Sequence, residues 1–110
     1  MFQFFKKSQS ANTMDINKVP ELMSGDPAVR LVDVRTPQEY KAGHLPQSES
    51  LPLPRMSEME ALVPEKDTTI VVYCQSGARS AQAAAVLERM GYTKIINAGG
   101  IVHWKGSLAK

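Results

Sequence analysis

The sequence predicts an α/β domain in three layers: a small, mostly parallel β-sheet with helices on both faces. Short runs rich in β-branched residues, at 29–34, 69–73 and 94–98, alternate with segments of helical periodicity, as βαβ units do. The run at 69–73, Thr-Ile-Val-Val-Tyr, is apolar in the manner of a central strand covered on both sides. A chain of 110 residues can bury one good core but not two. We therefore expect a single domain over 14–110, preceded by a flexible leader, 1–13, whose Ser-Gln-Ser-Ala-Asn-Thr end is polar.

From residue 17 the pattern predicts a short helix. Asn17 is its N-cap, Pro20 is tolerated in its first turn, Leu22 and Met23 face inward, and Gly25 ends it. The strand at 29–34 (Val-Arg-Leu-Val-Asp-Val) runs into Arg35-Thr36-Pro37-Gln38-Glu39, a helix start: Thr36 and Glu39 have capping-box spacing and Pro37 stands at the first helical position. Gly43 closes that helix. Pro46, Pro52 and Pro54 make 44–54 a connector with at most one short strand near Ser50 and Leu51. Residues 55–63 read as an amphipathic helix burying Met56, Met59 and Leu62. The helix at 79–90 directs Ala83, Ala84, Leu87 and Met90 inward and stops at Gly91. A strand at 94–98, a Gly99-Gly100 turn and a last helical turn around Trp104 complete the chain.

Composition narrows the function. Hydrophobic residues at 43% and charged residues at 22% are ordinary globular usage, so the chain folds unaided. The net charge of +2 is spread over 13 basic and 11 acidic residues, with Lys6-Lys7 the only adjacent basic pair, so no nucleic-acid partner is expected. One cysteine excludes an internal disulfide, and His44 and His103 lack zinc-type spacing to it. The apolar start around Phe2, Phe4 and Phe5 is too short for a signal-peptide core, and its lysines follow it. No stretch approaches the roughly 18 to 20 apolar residues of a membrane span. A reducing cytoplasm is the expected compartment, since a free thiol persists there.

The chemistry converges on Cys74-Gln75-Ser76-Gly77-Ala78-Arg79-Ser80, between the end of the central strand and the start of a helix. Ser76, Gly77 and Ala78 let the loop curl so that backbone N–H groups point inward, and the positive end of the helix dipole adds to them. Gly77 is expected at positive φ. Such surroundings lower a cysteine pKa from about 8.5 to roughly 3.5 to 7.5, giving a thiolate nucleophile at neutral pH. Arg79 can fork onto a bound oxyanion or brace the loop through its carbonyls. An isolated cysteine at a strand end is more simply an inert core residue. The placement of Gly77 and Arg79 argues against that here.

These residues resemble the active loop of the rhodanese sulfurtransferases, a cysteine followed by four residues and an arginine. The likeness extends in order through Asp33-Val34-Arg35, Glu39-Tyr40, Gly43-His44-Leu45-Pro46, Leu51-Pro52 and Gly99-Gly100 with Trp104, covering about 14–106. It implies a double displacement in which Cys74 takes a sulfane sulfur from a donor and passes it to a thiophilic acceptor, through a persulfide and without metal or organic cofactor. The donor is left open among thiosulfate, a persulfide, a polysulfide and a protein partner. The uncharged stretch between Cys74 and Arg79 leans toward small persulfides. With no second cysteine, the acceptor comes from outside: cyanide, a thiol, or a thioredoxin-like or other sulfur-relay protein.

The resemblance also places Arg35 at the pocket rim, where it attracts an anionic donor, and makes Asp33 a brace for the loop. A structural ion pair or helix cap is the competing reading of both. His44 is read as bonding backbone, and Trp104 as a core anchor. Gln47-Ser48-Glu49-Ser50 departs from the family pattern, and Glu49 at a normally apolar position implies a frayed or exposed strand. Two other functions compete: a non-catalytic binding or regulatory module of the same fold, and a cysteine-dependent phosphatase or arsenate reductase. The latter enzymes place five residues between cysteine and arginine, room for a phosphate, where this chain has four.

Overall fold

The apolar run at 69–73 lies at the centre of the sheet in the structure, a computed structural model that describes residues 12–110. Five strands, β1 (Asn12–Thr13), β2 (Arg30–Asp33), β3 (Glu49–Ser50), β4 (Thr69–Cys74) and β5 (Lys94–Gly100), stand in the order β1-β5-β4-β2-β3. All four pairings are parallel. Strand periodicity divides the core. Ile70, Val72 and Cys74 of β4 face one side, with Val32, Met56, Met59, Ala83 and Leu87. Val71 and Tyr73 face the other, with Ile16, Val19, Leu31, Leu45 and Ala98. Both faces of β4 are thus buried, which is why its sequence shows no polar alternation.

The helices are α1 (Val19–Gly25), α2 (Pro37–Ala42), α3 (Met59–Leu62) and α4 (Ala78–Arg89). The capping box forms as expected: Thr36 Oγ1 accepts from Glu39 N at 3.2 Å, and Glu39 Oε1 accepts from Thr36 N at 3.0 Å.

Four local expectations are revised. The N-cap at the first helical segment is Asp15, which accepts from Asn17 N at 2.9 Å and opens a 3₁₀ turn, Ile16–Lys18, ahead of α1. Asn17 instead joins distant chain, donating to His103 O at 3.0 Å and accepting from Lys105 N at 2.8 Å. Residues 55–63 divide between the end of a 3₁₀ segment, Leu53–Glu58, and a single α-helical turn, Met59–Leu62. Arg55 departs from helical geometry at φ −108° and ψ 20°, and Val63, which precedes Pro64, is pushed out of the α region and ends the helix. Met56 and Met59 are nonetheless buried, as their spacing implied.

The chain joins the sheet earlier than expected, because Asn12 and Thr13 pair with Ile96 and Asn97. The rest of the expected leader, 1–11 with its phenylalanines, lies outside the described residues. Finally, Glu49 belongs to a two-residue edge strand and is only half exposed, because Arg30 of β2 grips it with bonds of 2.7 and 2.8 Å. The carboxylate that looked out of place answers a guanidinium on the next strand.

Candidate active site

Strand β4 delivers Cys74 to the carboxyl end of the sheet, and 75–77 turn the chain into α4. Gly77 stands at φ 111°, a left-handed conformation that side chains resist. That turn aims the Gly77 N–H at Sγ, 3.0 Å away. Ser80, buried in the first turn of α4, places its Oγ 3.5 Å from Sγ and donates to Gly77 O at 3.1 Å. Cys74 is only 1% exposed, and that burial opposes ionisation. The Ser80 hydroxyl and the amides of Ser80, Gly77 and Ser76 outweigh it and hold the thiol below its ordinary value. These bonds favour the thiolate over the thiol more than water does.

The loop rests on the end of β5. A Cβ at Gly100 would lie 2.6 Å from Ser76 Cα and nearer still to the Gln75 carbonyl oxygen, both backbone atoms that cannot step aside. Val102 N ties the same carbonyl at 3.2 Å. Gly100→Ala is therefore expected to push the loop off its seat. The expected losses are about 1–3 kcal/mol of stability from overpacking and about 100-fold in reactivity toward iodoacetamide, the scale of a misplaced reacting atom. Labelling followed by mass, beside a urea melt, checks both, and an unchanged labelling rate would dismiss the contact as unimportant.

The two arginines behave differently from expectation. Arg79 does not meet loop carbonyls: its Nη1 and Nη2 donate to Glu39 Oε1 and Oε2 at 2.7 and 3.0 Å. Held chiefly by those bonds, the Glu39 carboxyl is drawn down to about 2. Arg35 is not at an open rim but 4% exposed, and Asp33 is fully buried. Arg35 Nη2 meets Asp33 Oδ2 at 2.7 Å and Gly43 O at 2.7 Å, while Nη1 donates to Gln75 Oε1 at 3.2 Å. Asp33 thus reaches the loop through Arg35.

Gln75, Ser76 and Ala78 are exposed. His44 places Nδ1 2.8 Å from Tyr40 O and stacks on the Tyr40 ring at 3.7 Å. Trp104 packs against the Tyr73 side of the core and donates to Ser107 O at 3.0 Å. Beside the loop opens a cavity of about 290 Å³, lined by Arg35, Glu39, Gly43, Gln75, Val102 and Leu108 among others.

Sequence reasoning missed two members of this site. Glu39 counts in the sequence as a capping-box residue and as part of the family likeness, with no tie to the loop arginine, although a carboxylate so fixed is a natural mate for it. Gly100 counts in the sequence as a turn glycine and as part of the same likeness, and no local signal marks its contact with the loop.

Comparison with known proteins agrees with this geometry. The family model of the Rhodanese-like domain matches residues 16–107. A protein named sulfurtransferase from Allochromatium vinosum is 40% identical over 98 residues, 84% of this chain and 87% of that protein. Thiosulfate sulfurtransferase PspE of Escherichia coli is 42% identical over 71 residues, 64% of this chain and 68% of its own. A solved structure described as a rhodanese with anions from E. coli superposes with a TM-score of 0.71 at 36% identity, covering 76% of this chain and 99% of its own.

Proposed function

The chain belongs to the rhodanese-like domain family and is a rhodanese-type sulfurtransferase, and from that premise we propose that Cys74 is the atom carrier of the transferred sulfur. The observation that supports this reading is the setting of one sulfur: the Gly77 amide donates to Sγ at 3.0 Å, and Ser80 Oγ lies 3.5 Å from it at the start of α4.

With thiosulfate as donor, the Cys74 thiolate attacks the sulfane sulfur, the S–S bond of the donor breaks, and sulfite leaves with the bonding electron pair. Cys74 becomes a persulfide anion, held by the donors that held the thiolate. A thiophilic acceptor, such as cyanide or a thiol, then attacks the outer sulfur and the Cys74 thiolate leaves. Asp33 and Arg35 position Gln75, and Arg79 with Glu39 fixes the start of α4 against α2. A thioredoxin-like acceptor in the cytoplasm fits a lone thiol that must be relieved of sulfur from outside. Among the described residues no helix is long and apolar enough to cross a membrane.

Intact-protein mass after exposure to thiosulfate or glutathione persulfide, then cyanide, tests the reading. One sulfur gained on Cys74 and removed by cyanide is expected, and no gain from either donor would overturn it. Run across pH, the same assay reads the thiolate. Because the thiol is held low, loading should stay level as pH falls through the ordinary thiol value of about 8.5, then drop about tenfold per unit beyond the lowered one. A midpoint at or above the ordinary value would contradict the hydrogen-bond account.

A further inference from the structure

On the face of the sheet opposite Cys74, α1 and the chain after α2 border a second cavity, of about 300 Å³. Val19, Pro20 and Met23 of α1, Leu31 of β2, Leu45 and Trp104 supply its mostly apolar walls. Its volume stands at the small end of the roughly 300–1,000 Å³ of sites that hold organic groups. Sulfur transfer at Cys74 makes no use of it. Nor does it use Phe2, Phe4 and Phe5, the chain's three phenylalanines, which are followed at once by Lys6-Lys7.

Register brings the two within reach of each other. Asn12 pairs with Ile96, Ile96 with Val71 and Val71 with Leu31, so Asn12 and the cavity wall share one row of the sheet. Three strand spacings of about 4.8 Å separate them, about 14 Å in all. Phe5 precedes Asn12 by seven residues, and seven extended residues span about 23–25 Å. Because the strands are parallel, β1 starts from the sheet end at which α1 finishes at Gly25 and β2 begins at Arg30. Asp26 stands exposed at that end, two residues beyond Ser24 of the cavity lining. An aromatic cluster followed by two lysines thus faces an apolar cavity followed by a carboxylate.

We propose that this cavity is the seat for the aromatic cluster Phe2–Phe5 of the same chain, with Lys6-Lys7 beside Asp26. A phenylalanine ring there meets Trp104 and Met23, gaining aromatic and sulfur–aromatic contacts. Removing the ring from water offsets the entropy of ordering the segment. The exposed Lys–Asp contact adds little affinity, but it favours this direction of the segment over the reverse.

Lys6-Lys7 supplies the readout. The full chain is treated with trypsin in native buffer, and loss of its first residues is followed by intact mass. Cleavage after Lys6 or Lys7 should run at least about tenfold faster in Met23→Lys, the factor that burial of one aromatic side chain supplies. That variant leaves residues 1–11 unchanged and sets a charge in the cavity wall. Trp104, the chain's one tryptophan, reports from the other side. Phe2→Ser, Phe4→Ser and Phe5→Ser together should open its indole to acrylamide quenching, with no further gain when Met23→Lys is added. Urea melts show which variants fold, and the triple variant changes no residue of 12–110, so its quenching decides the matter even where Met23→Lys unfolds. Equal cleavage in the parent and a folded Met23→Lys, or equal quenching in the parent and the triple variant, overturns the proposal. So does protection that grows with protein concentration, which assigns the cavity to a second copy. Protection gained only on adding phosphatidylglycerol vesicles assigns the cluster to a lipid surface and overturns it as well.

Discussion

A Cys74→Ser protein is expected to fold like its parent and to move no sulfur. The replacement keeps a small buried group that can accept from Gly77 N and sit beside Ser80, so the stability change should be about 1 kcal/mol or less. Transfer from thiosulfate to cyanide should fall by at least about 10⁴-fold, the scale of losing a covalent nucleophile. The hydroxyl left in its place is not ionised by surroundings that suffice for a thiol. Thiocyanate formation measured beside a urea melt separates chemistry from folding. Turnover within tenfold of the parent would place the sulfur elsewhere.

The largest stability effect is expected at Asp33→Asn. The Asp33 carboxylate is fully buried and accepts from Arg35 N at 2.9 Å, from Nε at 3.1 Å and from Nη2 at 2.7 Å. Asparagine keeps the shape but leaves a buried guanidinium without its counter-charge, which costs about 3–5 kcal/mol. That is a large part of the roughly 5–15 kcal/mol holding a domain together. Removing both charges, as Asp33→Leu with Arg35→Met, should recover much of the stability, because no orphan charge remains. It should not recover sulfur transfer, since Gln75 and the Gly43 carbonyl still lack their donor. Chemical denaturation of the two variants distinguishes these outcomes, and a single-mutant loss below about 1 kcal/mol would mean that water reaches Arg35.

The parts of this architecture that could be read in advance are those whose cause is local. Continuous β-branched sequence marked β4, Thr36 and Glu39 marked the start of α2, and a glycine three residues past the cysteine marked the turn that aims an amide at sulfur. What escaped is settled by partners far along the chain. Arg79 and Glu39 are 40 residues apart, and nothing near either one shows that they meet. The family resemblance put Arg35 at the pocket rim, and its burial follows from Asp33 two residues earlier on the same strand end. The Gly100 contact is a close approach of two backbones, visible only after β5 lies beside β4. Asn12 and Thr13 carry no strand signal at all, and the edge of β5 imposes one on them.

That last pairing sets a schedule for synthesis. On the ribosome, β1 emerges first, yet its partners Ile96 and Asn97 follow more than 80 residues later. At roughly 5–20 residues per second, about 4–17 s pass in which the nascent segment has no neighbour to bond. An Asn-Thr pair is well suited to that wait. It stays hydrated and offers little to another chain, where a valine-isoleucine edge would invite one. The first strand of the sheet to emerge is thus one with little means to aggregate while it waits for the last.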